Sequence, residues 1–159
     1  MRSRASIYKH PIHPMLIVFP IALWIFSFIC DVVFLSGSAN AVLWRDMAFY
    51  TMAGGVIGAL LAAIPGFLDY LGLLDHDVKK IATTHMLLNL TIVGLYLFNL
   101  GLRMNAPEQG RVTAVVISAV ALILLAISGW LGGSLVYVHG IAVESHRGEE
   151  PFTRRDRVA

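Results

Sequence analysis

The chain has 159 residues, 57% of them hydrophobic and 14% charged, with a mean hydropathy of +0.73. Soluble globular domains carry about 25% charged residues, so this composition argues against a water-soluble domain and for a membrane protein. The net charge of +2 rests on basic tails with no aromatic or groove-reading motif beside them, which argues against nucleic-acid binding. The single cysteine, Cys30, excludes an intrachain disulfide.

A bilayer-spanning helix needs roughly 20 mostly apolar residues. Four stretches qualify in chain order: Pro14–Leu35, Asp46–Leu71, Thr84–Leu102 and Val112–Tyr137. They are too many and too long for a cleaved signal peptide, and the basic start lacks a small-residue cleavage site. The expected organisation is one four-span domain over residues 1–144, with loops of about ten residues, followed by a polar tail over residues 145–159. One set of loops and tails holds nine basic residues: Arg2, Arg4, Lys9, Lys79, Lys80, Arg147, Arg154, Arg155 and Arg157. The other holds three, Arg45, Arg103 and Arg111. The positive-inside rule then places both termini in the cytoplasm.

The expected fold is all-α, an up-down-up-down four-helix bundle in which spans one and three are diagonal. Lipid supplies no hydrophobic force between helices, so small residues must let the backbones approach. Span two offers Gly54, Gly55 and Gly58, and span four offers Gly129, Gly132 and Gly133. Gly54/Gly58 and Gly129/Gly133 are small-xxx-small pairs that suit helix packing or clear room for a flat cofactor. The two Gly-rich spans also hint at a duplicated hairpin. Pro20 and Pro65 are expected to kink spans one and two. Asn89, Asn99 and Ser128 can hydrogen-bond across helices, Trp24 and Trp130 lie too deep for interface anchors, and Cys30 reads as packing.

All six histidines fall on the side that carries the termini: His10, His13, His76, His85, His139 and His146. Ionisable groups within a membrane are costly and usually functional. His10-Pro11-Ile12-His13-Pro14 reads as a stiff polyproline lead-in with both imidazoles on one side, and Pro14 suits a first helical turn. His85 sits one residue inside span three, with Asn89 one turn below. Asp69 ends span two and His139 ends span four. Helices ending at one level would gather His13, His85 and His139 around one opening, with His10 just outside. Asp69 would be the acceptor that orients a ligating imidazole. His76 and His146 read as solvated, and Asp31 as facing the interface or paired with Arg45.

HPIHP opening span one, GFLDY ending span two, THMLLN opening span three and GGSLVYVHG ending span four resemble the small four-span bacterial membrane proteins grouped as domain of unknown function 2231. The likeness covers about residues 8–143. It implies the bacterial inner membrane and carries no settled activity. Some members look joined to Rieske-type iron–sulfur domains, which implies a redox setting; one cysteine cannot hold such a cluster here.

Three functions follow as expectations. The first is a non-covalent haem b that transfers electrons, since no Cys-x-x-Cys-His is present for covalent attachment. His13 and His85 would be its axial ligands, and His10, His139, Asp69 and Asn89 would complete the site; a quinone or iron–sulfur protein would be the redox partner. The second is a zinc, copper or iron ion on His10, His13, His85 and His139. The absence of HExxH argues against a hydrolase, and the apolar mid-sections of spans two and four argue against a pore. The third is a structural or assembly subunit of a membrane redox complex. A homo-oligomer is left open.

Overall fold

The computed structural model describes residues 3–8, 10–105 and 111–143. A small hairpin of β1 (Ser6–Ile7) and β2 (His10–Pro11) leads into α1 (Ile12–Leu16) and α2 (Val18–Leu35). There follow α3 (Ala41–Tyr70), α4 (His76–Asn105) and α5 (Arg111–Tyr137). Among the described residues four helical spans are long and apolar enough to cross a membrane, α1 and α2 counting as one over Ile12–Leu35. The protein is an all-α four-helix membrane bundle.

The elements depart from the hydropathy boundaries in ways that move the site. α3 begins five residues before the expected span and α4 begins at His76 instead of Thr84. The turns joining α2 to α3 and α3 to α4 are correspondingly short. Asp75 explains the early start of α4: its carboxylate accepts the backbone N–H groups of Asp77 and Val78 at 2.9 and 3.0 Å, an N-terminal cap. Those bonds hold the Asp75 carboxyl below the usual carboxylate range. His85 therefore lies well inside α4, two to three turns from its start.

Pro20 interrupts span one at Ile17, between α1 and α2, because its ring cannot donate to or pack against the carbonyl four residues earlier. Pro65 is accommodated inside α3. The polyproline lead-in is not what forms. His10 pairs with Ile7 in the small hairpin, closed by Tyr8 at a left-handed φ of 46°, and His13 is already helical.

The core repeats itself. The buried positions of α2 include Pro20, Trp24, Ser27 and Asp31, and those of α4 include Ile92, Tyr96 and Asn99. Each matches its counterpart at the 72-residue separation of Asp31 and Arg103. Likewise Ala48, Met52, Gly55 and Ala62 of α3 match the buried Ala114, Ser118, Ala121 and Ser128 of α5. The contacts match too. Ser27 Oγ donates to the Ala48 carbonyl at 2.7 Å, and Asn99 Nδ2 donates to the Ala114 carbonyl at 2.7 Å.

The bundle is thus two hairpins of one design: α1–α3 forms the first and α4–α5 the second. Each packs more extensively within itself than against the other. Both hairpins run the same way, so the axis relating them lies along the membrane normal. The diagonal helices α2 and α4 meet across that axis. Trp24 stacks on Tyr96 with centroids 4.3 Å apart, and Arg103 grips Asp31 through two bonds of 2.7 and 2.6 Å.

That ion pair corrects two expectations. Asp31 is fully buried and its partner is Arg103, itself 10% exposed; Arg45 instead bonds its neighbour Asp46 at the surface. Trp24 is buried and its indole rests on Gly55, whereas Trp130 faces outward from the bundle. Cys30 is buried, in keeping with a packing role.

Candidate functional site

The repeat places one imidazole of each hairpin at the same depth. His13 precedes Trp24 by eleven residues and His85 precedes Tyr96 by the same number. At 1.5 Å per residue both rings lie about 16 Å from the aromatic stack, at the end opposite the ion pair. His13 is within electrostatic range of His85.

The two rings are held alike. His13 Nδ1 lies 2.7 Å from the Ala62 carbonyl, and His85 Nδ1 lies 2.9 Å from the Ser128 carbonyl. A carbonyl only accepts, so each Nδ1 carries the proton and each Nε2 is left with its lone pair. A glycine one turn beyond each carbonyl makes the seat. A Cβ on Gly66 would come within 2.7 Å of His13 Nδ1, and one on Gly132 within 3.1 Å of His85 Cε1.

Around that shared plan the second hairpin adds polar support. Asn89 Nδ2 donates to Ser128 Oγ at 2.7 Å and to the His85 carbonyl at 2.8 Å, and lies 3.2 Å from His85 Nε2. Ser128 Oγ also lies 3.0 Å from His85 Nδ1. At the matching positions the first hairpin has Ile17 and Ala62, so His13 relies on its carbonyl alone.

The remaining expected site residues stand apart from this pair. His10 is exposed on β2, and His139 is exposed beyond the end of α5, near enough to Asp75 to act on its carboxylate. Among the described residues Asp69 orients no imidazole. Its carboxylate accepts Ser3 Oγ at 2.8 and 2.9 Å, Arg4 N–H at 2.7 Å and Ala5 N–H at 3.2 Å, and so ties the N-terminal segment to the end of α3. His76 is 84% exposed at the start of α4. His146 and the tail lie outside the described residues. Among the described residues no three His, Cys, Asp or Glu side chains gather closely enough to hold a metal ion.

Sequence reasoning named Gly132 as a packing glycine but connected neither it nor Gly66 and Ala62 with the imidazoles. The signal was present in GFLDY and GGSLVYVHG, where a glycine stands one turn after a small residue. The expected pair Gly129/Gly133 instead does little: a Cβ on Gly129 would meet nothing within 4 Å. Gly54 and Gly58 do pack helices, against Leu23 and Pro20. Two cavities lie near this end. One of about 110 Å³ is lined by Ser3, Arg4, Asp69, Gly72, Leu73, Leu74 and Ile141. The other, about 390 Å³, is an open groove along Tyr70, His76, Lys79, Lys80, Thr83 and Thr84. Neither is lined by His13 or His85.

Fold and site together define a small four-span membrane protein with a paired-imidazole seat. The chain belongs to the family described as predicted membrane protein (DUF2231), which it matches over residues 9–145. No curated protein and no solved structure matches it.

Proposed function

We propose that the protein binds one haem b between His13 and His85 and transfers electrons at the bacterial inner membrane. The observation that carries this reading is the matched Nδ1-to-carbonyl contact of two imidazoles at equivalent positions of the two hairpins. A porphyrin fills four positions on its iron and asks the protein for two, which is the number of matched imidazoles here. A structural zinc asks for four protein ligands, and among the described residues no third donor joins the pair. When bound, the haem iron supplies one-electron chemistry.

The protein's share is orientation. The Nδ1 bonds fix the ring planes and raise the basicity of Nε2. Asn89 and Ser128 stiffen the His85 side. Seating a macrocycle between the rings requires the hairpins to part at this end. His10 and His139, exposed at the same end, suit the cofactor's carboxylates better than its iron. The basic loops favour a cytoplasmic position for this end, where a quinone or an iron–sulfur protein would exchange electrons with it.

Absorption spectroscopy of the purified protein tests the reading. A Soret band that shifts on dithionite reduction is expected, moved to a high-spin position in His13→Ala and in His85→Ala and unchanged in His76→Ala. A colourless protein with stoichiometric metal would favour a bare-ion site, and a colourless metal-free one a structural subunit.

A further inference from the structure

The imidazole pair and the Asp31–Arg103 pair occupy opposite ends of one seam along the axis between the hairpins. We propose that Asp31 and Arg103 are positioning residues for the imidazoles: their bidentate bond fixes the register of α2 against α4, and with it the level of His13 against His85. The inference rests on reading those two histidines as one site.

Lipid gives the hairpins no hydrophobic reason to choose one register over another. A stacked Trp–Tyr pair tolerates sliding and rotation, because its attraction varies slowly with offset. A two-bond guanidinium–carboxylate contact does not; it has one geometry. Arg103 is itself braced, its Nε donating to Asn99 Oδ1 at 2.9 Å, and Asn99 is tied to Ala114 and Ser118 of α5. The carboxylate of Asp31 is thereby fixed to the frame of the second hairpin. A buried ion pair is seldom retained for stability alone, since apolar replacements of similar volume serve as well; specifying register is its best-attested use.

The signs of the charges add a second consequence. Asp31 and Arg103 are equivalent positions of the two repeats, so pairing a hairpin with its own kind from another chain would oppose Asp to Asp or Arg to Arg. Only unlike hairpins close the seam, which favours assembling the imidazole pair within one chain.

The test uses the full chain in a Cys30→Ala background with His13→Cys and His85→Cys, cross-linked by a short bis-thiol reagent in detergent. Asp31→Asn and Arg103→Gln are each expected to lower the intramolecular yield at least about threefold. The exchanged pair, Asp31→Arg with Arg103→Asp, restores it, and Arg45→Gln leaves it unchanged. An unchanged yield in the single variants overturns the proposal. If those variants do not fold, the exchanged pair decides: recovery of fold and cross-link supports it, and failure of either overturns it.

With the native histidines, the folded fraction of Asp31→Asn is expected to turn from six- to five-coordinate haem, a change that simple destabilisation would not produce. A native chain that takes up no haem while the cross-link still responds would refute the haem reading and leave the register assignment standing.

Discussion

Hairpin one and hairpin two solve the same problem with different means. Each seats a histidine over a glycine and anchors Nδ1 on the carbonyl one turn earlier, yet only the second surrounds its imidazole with Asn89 and Ser128. The first compensates from outside the spans. Asp69 gathers Ser3, Arg4 and Ala5, and the chain then passes through the β1–β2 turn directly into α1 and His13. The difference teaches that the shared element is the backbone seat, whereas the polar surroundings are particular to each half. His85 is the more constrained ring and His13 the more adjustable one.

The largest effect that would break this comparison is at the seam. Asp31→Ala leaves a buried guanidinium unpaired and should cost about 3–5 kcal/mol of stability. The double variant Asp31→Leu/Arg103→Met should cost much less, as read by thermal denaturation in detergent. Next come the seats. Gly66→Ala drives a methyl into the His13 ring and should cost about 1–3 kcal/mol. Gly132→Ala should cost less because its contact is looser, and Gly129→Ala should be close to neutral.

A smaller effect sharpens the asymmetry. Ser128→Ala removes hydrogen bonds found only in the second hairpin and should cost about 0.5–1.5 kcal/mol, broadening the imidazole NMR signals of His85 and not those of His13. The smallest concerns Asp75. Its folded-state pKa is depressed, so its cap stabilises α4 fully above the unfolded carboxylate pKa of about 4 and is lost as pH falls through the folded value. The gap in melting temperature between the native chain and Asp75→Ala should therefore close in strong acid and stay open near neutrality.

Much of this was legible in the residues. Apolar run length gave four spans and the bundle, and the His85–Asn89 spacing gave a shared helix face that the structure retains. Asn89 and Asn99 bond across to α5, as polar groups in lipid must. The Asp31–Arg103 contact was hidden because the two residues sit on diagonal helices, and periodicity along one helix says nothing of a diagonal partner.

The duplication was nearly hidden for a different reason. The helix-to-helix spacing differs between hairpins, 49 residues from His13 to its carbonyl against 43 from His85 to its own, so no single period relates the halves. The gathering of four histidines was inferred from depth alone. Depth fixes level, not direction, and His10 and His139 take up exposed positions on a hairpin and beyond a helix end. The preference of a pre-proline residue for extended backbone predicted a stiff strand at His13. A proline in the first turn of a helix, coupled to the carbonyl seat on α3, outweighs it.

Low-temperature electron paramagnetic resonance of the oxidised, haem-loaded protein is the most direct test of the paired-imidazole site. The account predicts a low-spin ferric signal of bis-imidazole type, converted to high spin by either His13→Ala or His85→Ala and unaffected by His139→Ala. A low-spin signal that survives loss of either histidine would contradict it.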